Sequence, residues 1–356
     1  MVLNTFLYGF LGALAITPIV RFFATKAGIV DRPDGDRKKH EAPTPLLGGV
    51  AAFSAFALAV ILSLHGLLGG FLPAKHVFGI LLGGVVLVVG GFLDDRYDLP
   101  PRFQILFPVV SSLIVIASGI GASVITNPFG GALPLDLWRL QVLTISGTPY
   151  FLTFPADLFT FVWMMGMIYT TKLLDGLDGL VSGLGVIGFA VLAIYSLSPQ
   201  AAEPELARFA MAAAGAFGGF LFYNARPAAI FLGEGGSTLT GYLLGVMAIM
   251  AGGKIGVTLM VLAVPIMDVA WTIACRFLGG RSVTQGGSDH LHFRLVRWGL
   301  SPGKTVLLFW AFAAGFGGAG LFIAGWQKTL ALALLGALYA AVVFILGKRT
   351  HGKSVH

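Results

Sequence analysis

The sequence predicts an all-α polytopic membrane protein with about 11 transmembrane helices, its N-terminus outside and its C-terminus cytoplasmic. Three observations carry this expectation. Hydrophobic residues fill 56% of the 356 positions and charged ones only 11%, against roughly 25% charged in a soluble domain, and the mean hydropathy is +0.88. Apolar runs of about 20 residues, the length a bilayer core demands, recur along the chain. Basic and acidic residues gather in alternate loops. The 50 glycines suit the same class, because Gly lets membrane helices approach closely.

Taken in order, the first apolar run (3–23) has no basic residue ahead of it, and Arg21 lies at its far end. That is the reverse of a secretory signal and reads as a retained span. Further spans are expected near 47–65, 77–93, 103–121, 156–172, 180–197, 206–223, 238–252, 255–276, 305–325 and 330–347. Between the fourth and fifth, the stretch 121–155 carries Asn127-Pro128, Gly130-Gly131, Gly147 and Pro149 beside β-prone residues at 141–145, which suggests a small hairpin. Cys275 is the chain's lone cysteine, so an intramolecular disulfide is excluded, and in its apolar run it reads as a small buried hydrophobe. With no repeat and no low-complexity linker, one domain is expected over 1–356.

Charge sets the orientation. Eighteen of the 23 Lys and Arg residues fall in one set of loops, which the positive-inside rule makes cytoplasmic. The formal charge of +7 then follows from topology and anionic headgroups, and no nucleic-acid partner is needed. Most carboxylates share that face, so the active site is expected on the cytoplasmic loops.

Five inner loops hold the candidate chemistry. The first runs from Asp31-Arg32-Pro33 through Arg37, Lys38, Lys39 and His40 to Pro43-Thr44-Pro45 and Gly48-Gly49, a basic cluster and glycines able to hold a phosphate. The second follows Gly91-Phe92-Leu93 with Asp94 and Asp95, and Arg96 and Arg102 nearby would keep both ionised. In the third, Asp175 and Asp178 stand three apart, on one face of a helix or turn, between glycines that admit a ligand. The fourth runs from Asn224 through Phe231 to Glu234, a carboxylate among glycines just before a helix, suited to a metal bridging to phosphate. The fifth holds Asp289-His290-Leu291-His292-Phe293-Arg294. Alternate histidines share a side on extended chain, and hydrogen bonding to phosphate or sugar suits them better than zinc, which would need further ligands. Asp268, inside a span after Pro265, is either structural or part of the site. Each loop also has a plain alternative as a solvated, positively charged anchor or a helix cap.

Taken together the five loops resemble the polyprenyl-phosphate N-acetylhexosamine-1-phosphate transferase family, in its undecaprenyl-phosphate N-acetylglucosamine-1-phosphate transferase branch. Asp31-x-Pro33 with Arg37, Lys38, His40 and Gly48-Gly49 matches the family's first loop. Leu93-Asp94-Asp95, Asp175-Gly176-Leu177-Asp178-Gly179-Leu180, Asn224 with Pro227-Ala228 and Phe231-x-Gly233, and the histidine loop follow in order. The resemblance covers nearly the whole chain. It implies a Mg²⁺-dependent enzyme, Mn²⁺ being an alternative, that moves N-acetylhexosamine 1-phosphate from a UDP-sugar such as UDP-N-acetylglucosamine to undecaprenyl or another polyprenyl phosphate. UMP would be released, as the first membrane step of cell-wall and envelope polysaccharide synthesis in the inner or plasma membrane.

The same resemblance implies roles. Asp94 would orient or deprotonate the lipid phosphate, with Asp95 in support, and Asp175 and Asp178 would serve the uridine diphosphate. Arg37, Lys38, His40, His290, His292 and Arg294 would bind substrate, Phe231 would stack on uracil, and Asn224 would bond the nucleotide. Glu234 and Asp178 would hold the metal. The chain departs from the family at Glu234 (usually Asp), at Lys172 and Tyr169 (Asn), at Gln104 (Lys) and at Phe293 (His). A protonated Lys172 cannot ligate a metal and reads as a fixed positive charge for the diphosphate. Direct attack by the lipid phosphate and a covalent aspartyl intermediate both fit the sequence, and a homodimer is left open. Rival readings are the sibling that transfers phospho-N-acetylmuramoyl-pentapeptide, a non-catalytic relative that binds sugar nucleotide, and an anion transporter. A transporter keeps its polar residues near the midplane on broken helices, whereas these gather at one face.

Overall fold

A computed structural model describes residues 2–32, 43–68, 72–127, 131–145, 148–251, 255–280, 290–323 and 325–351. Arg37, Lys38, His40 and Asp289 lie outside the described residues. The helices, in chain order, are α1 (Val2–Lys26), α2 (Gly48–Leu62), α3 (Leu64–Leu68), α4 (Ala74–Tyr97), α5 (Pro101–Gln104), α6 (Leu106–Ala117), α7 (Ala156–Leu174), α8 (Leu180–Ser196), α9 (Pro204–Asn224) and α10 (Gly233–Met250). They continue with α11 (Ile255–Val261), α12 (Ala263–Leu278), α13 (Leu291–Arg297), α14 (Pro302–Phe322) and α15 (Trp326–His351).

Every apolar run expected to span falls on one of these helices or on a broken pair. Among the described residues five helices are long and apolar enough to cross a membrane (α1, α4, α9, α14 and α15), or six if the bent pair α11 and α12 is one span. The others are shorter or more polar. The run near 47–65 breaks at Ser63, that near 103–121 at Ile105, and α11 meets α12 at 81°.

The layering is that of a protein whose solvent is lipid. Leu3, Leu7 and Leu11 on α1, Phe78, Leu82, Val85 and Val89 on α4, and Leu330, Leu334 and Leu338 on α15 recur at helical spacing on the outside. A soluble protein rarely exposes apolar stripes of that extent. At the centre lies α10, which packs against α2, α4, α7 and α8 and is buried from Gly235 to Ile249. It is rich in Gly, Ser and Thr, so neighbours reach its backbone. Tyr242 is fully buried there and donates its hydroxyl to Ile80 O of α4 at 3.0 Å. Cys275, expected to be buried, is exposed on α12, where an apolar outer face tolerates it.

Strand β1 (Val30–Asp31) pairs antiparallel with β2 (Thr44–Pro45). Between α6 and α7 the structure builds two hairpins where one was expected. In the first, β3 (Val124–Thr126) pairs antiparallel with β4 (Ala132–Pro134). In the second, β5 (Trp138–Ile145) pairs with β6 (Thr148–Phe154), and Trp138 stacks on Phe154 at 5.8 Å. The hairpins join α7 at its N-terminus and Asp175 caps its C-terminus. A helix of 19 residues, about 28 Å at 1.5 Å per residue, therefore separates hairpins from carboxylates.

Candidate active site

Glycines determine how closely the acidic loops meet. Gly91 on α4 lies against the backbone of Gly235 on α10, and Gly49 on α2 lies against Gly236, so a Cβ at Gly91 or Gly49 would run into that backbone. One turn beyond Gly91 stand Asp94 and Asp95, while Glu234 immediately precedes Gly235. Gly233 takes the left-handed conformation (φ 73), which turns the Glu234 N–H onto Asp95 Oδ1 at 3.2 Å. A Cβ at Gly233 would sit 2.6 Å from the same carboxylate. The first loop is tied in by its backbone: Gly48 N donates to Phe231 O at 3.0 Å, Gly49 N to Leu232 O at 2.8 Å and Phe231 N to Pro45 O at 2.8 Å.

Asp94 accepts from Leu99 N at 3.0 Å and from Gln104 Nε2 at 2.9 Å. Among the described residues its neighbouring cation is neither Arg96 nor Arg102, which the sequence suggested. Arg96 turns away to donate to Ala27 O at 2.6 Å, and Arg102 stands 5.0 Å over the Phe103 ring. The positive charge comes from the end of α7, where Lys172 Nζ lies 2.5 Å from Glu234 Oε1. A recess beside Asp94 and Glu234 is lined by Leu87, Phe107, Pro108 and Thr238, so a carboxylate meets an apolar wall there.

Asp175 and Asp178 lie in the turn between α7 and α8. Asp178 Oδ2 accepts from Ala228 N at 3.3 Å, which anchors the fourth loop to the third. Asp175 is exposed as a residue, but the protein mass around its carboxyl, and then the negative charges of Glu234, Asp95 and Asp178, raise its pKa from 3.8 to about 8. Carboxylates from three loops thus act on one another. Such a carboxyl keeps its proton in the fold where the unfolded chain has lost it, so stability falls as pH rises through the interval from 3.8 to about 8. Thermal unfolding of the purified chain should show that slope, and Asp175→Asn should flatten it. Equal slopes would mean that the Asp175 carboxyl does not hold its proton in the fold.

Those donors suit a hard divalent ion, which is bound by one or two carboxylates with substrate phosphates supplying the rest. Among the described residues no three His, Cys, Asp or Glu side chains are grouped as a complete metal site. Of the two expected metal ligands, Asp178 lies in the turn between α7 and α8, and Glu234 faces the Lys172 ammonium at 2.5 Å.

Other candidates have different partners from those expected. Asn224 is buried and engaged at both ends of its amide, accepting from Ser182 Oγ at 2.6 Å and donating to Ile230 O at 3.0 Å. It shapes the fourth loop from within. Phe231 is half-buried and contributes its backbone to the first loop. The histidines do not share an extended strand: His290 is extended and caps α13, and His292 lies inside that helix, although their rings stack at 5.8 Å. His290 Nδ1 pairs with Asp268 Oδ2 at 2.9 Å, and Asp268 Oδ1 accepts from Leu291 N and Tyr339 Oη, both at 2.8 Å. Asp268 therefore anchors the histidine loop to α12 and α15.

His292 is the histidine that reaches the acidic loops, because a Cβ on Gly176 would lie 2.6 Å from its Nε2. Burial lowers its pKa to about 3, so the ring is neutral, and neither ring nitrogen has a hydrogen-bond partner among the described residues. Arg294, half-buried on the same helix, donates its backbone N–H to His290 O at 3.1 Å. Sequence reasoning missed Gln104 as a contact, the pairing of Gly91 with Gly235, and Tyr339. The glycine spacing around both acidic loops was the available signal.

The profile described as glycosyl transferase family 4 matches residues 77–252, the segment that contains Asp94, Lys172, Asp178 and Glu234. The chain is 30% identical over 86% of its length to the "Probable undecaprenyl-phosphate N-acetylglucosaminyl 1-phosphate transferase" of Bacillus subtilis, covering 80% of that protein. It is 29% identical over 92% of its length to the decaprenyl-phosphate N-acetylglucosaminephosphotransferase of Mycobacterium tuberculosis, covering 84% of it. It is 28% identical over 83% of its length to a phospho-N-acetylmuramoyl-pentapeptide-transferase of Synechococcus, covering 81% of it. The similarity to the Bacillus protein extends through the carboxylates brought together here, and the chain belongs to glycosyl transferase family 4, with the polyprenyl-phosphate N-acetylhexosamine-1-phosphate transferases.

Proposed function

We propose that this protein transfers N-acetylglucosamine 1-phosphate from UDP-N-acetylglucosamine to undecaprenyl or another polyprenyl phosphate and releases UMP. The reaction is the entry step of an envelope polysaccharide, carried out at the cytoplasmic face of the inner or plasma membrane by an 11-span domain with its N-terminus outside. The observation that carries this reading is the meeting of Asp94, Lys172 and Glu234 beside an apolar recess, with Asp178 tying the third loop to the fourth through Ala228 N. The names of the relatives supply the sugar and the lipid.

Chemically, an oxygen of the lipid phosphate forms a bond to the β-phosphorus of the UDP-sugar, and the bond from that phosphorus to the bridging oxygen breaks, leaving with UMP. Two anions must approach, so positioning and charge neutralisation carry the catalysis. Asp94 stands beside the apolar side chains of Leu87, Phe107 and Pro108, and it takes or orients the proton of the lipid phosphate. Asp95 holds the Glu234 amide and so maintains the spacing of α4 and α10. A divalent ion, Mg²⁺ or Mn²⁺, bound with the diphosphate would be held by Asp178 and Asp175 and would lower its negative charge. His292, neutral and with no hydrogen-bond partner on its ring among the described residues, suits a sugar hydroxyl or a phosphate oxygen, and Arg294 and the first loop's Arg37, Lys38 and His40 bind the donor.

The test is purified protein with polyprenyl phosphate and a panel of labelled UDP-sugars that includes UDP-N-acetylmuramoyl-pentapeptide. UMP release that requires lipid, with transfer of N-acetylglucosamine phosphate, is the expected result. Transfer of the pentapeptide substrate instead would move the chain to the sibling activity, and solute uptake into vesicles without any lipid-dependent UMP would sink the proposal.

A further inference from the structure

The ammonium of Lys172 is held from two sides. Its Nζ lies 2.5 Å from Glu234 Oε1 and donates to Gln104 Oε1 at 2.8 Å, and Gln104 Nε2 donates onward to Asp94 Oδ1 at 2.9 Å. The four side chains come from α10, α7, α5 and α4. One positive charge thus stands between two carboxylates, in direct contact with one and joined to the other through an amide.

The chemistry of the amide gives this run a direction. A carboxylate can only accept, so it takes the NH₂ end of Gln104; an ammonium can only donate, so it takes the carbonyl end. Gln104 Nε2 also donates to Leu99 O at 2.8 Å, which fixes the same orientation from the backbone. The side chains of Lys172 and Glu234 are only 17% and 21% exposed, so water and salt screen this pair much less than a surface pair.

We propose that Lys172 is the resident counter-ion of the acidic site: its ammonium stands at Glu234 in place of a divalent cation and, through Gln104, holds Asp94 as a charged acceptor. The proposal rests on reading this cleft as the transfer site. It makes Lys172 a positioning residue, and it takes Glu234 out of the metal-ligand set that the sequence suggested. Removing Lys172 then opens a place for a divalent ion at Glu234. A cation bonded to the chain is present in every turnover and does not leave with product.

Manganese binding tests this without relying on turnover. Mn²⁺ is titrated into the full chain in detergent micelles and the free ion is followed by electron paramagnetic resonance, for the wild type, Lys172→Met and Glu234→Gln. Lys172→Met exposes the Glu234 carboxylate and is expected to bind Mn²⁺ at least about ten-fold more tightly, the scale on which neighbours of a metal site act. Glu234→Gln is expected to keep wild-type affinity, because the charge it removes is already matched. A Lys172→Met protein that binds no more tightly than wild type overturns the proposal, as does a loss of about ten-fold in Glu234→Gln. Should Lys172→Met fail to fold, the near-isosteric Glu234→Gln decides alone. Absence of lipid-dependent UMP release would sink the functional reading and leave these titrations standing, so the two failures are separable.

Discussion

Asp94→Asn is expected to lower lipid-dependent UMP release by about 10²- to 10⁴-fold, the range supplied by a positioned acid or base. The substitution isolates charge from structure. Both hydrogen bonds of Asp94 are accepted at Oδ1, from Leu99 N and Gln104 Nε2, and an asparagine oxygen at that position can accept both. The amide nitrogen then takes the place of the second oxygen, where it can neither take a proton nor repel a second carboxylate. Melting temperature and the apparent KM for the UDP-sugar should stay near wild type while kcat falls. A variant that keeps wild-type kcat would remove Asp94 from the chemistry, and one that fails to fold would show that its negative charge is structural.

Gly91→Ala should destabilise the protein and abolish activity together, although it adds a single methyl group. That methyl would enter the backbone of Gly235, and backbone cannot rotate away as a side chain can. Overpacking of this kind costs about 1–3 kcal/mol. Relief requires α4 to move from α10, which stretches the bond from Glu234 N to Asp95 and shifts Glu234 from Lys172. Gly318→Ala is the control: nothing lies within 4 Å of the added atom, and helical Ala is favoured over Gly by roughly 0.5–1 kcal/mol. Melting curves of the two variants in one detergent make the comparison. If Gly91→Ala melts and turns over as the control does, close helix approach is not what assembles the site.

Much of this architecture was legible because a bilayer is an exacting solvent. Backbone groups in hydrocarbon must be satisfied within the segment, so each long apolar run becomes a helix, and the limits of α1, α7, α8 and α9 lie within a few residues of those expected. The breaks were not legible. The 81° bend between α11 and α12 falls inside one continuous apolar run, where hydropathy carries no sign of direction. The single hairpin expected between α6 and α7 became two, since turn residues mark reversals without saying which strands pair.

The sequence by itself determined that the chain is built for a membrane and that its carboxylates cluster in a few short loops, because both follow from local composition and spacing. Only the tertiary structure decided their partners. Arg96, close to Asp94 in sequence, faces Ala27, while Lys172, far along the chain, reaches Glu234. Asn224 turned inward to Ser182, and His292, not His290, came up against the acidic turn. The physical reason is one of range. Hydropathy acts residue by residue, whereas a charge or hydrogen-bond pair needs two side chains within about 3 Å, and that spacing is set by where Gly91 and Gly49 let their helices rest against Gly235 and Gly236.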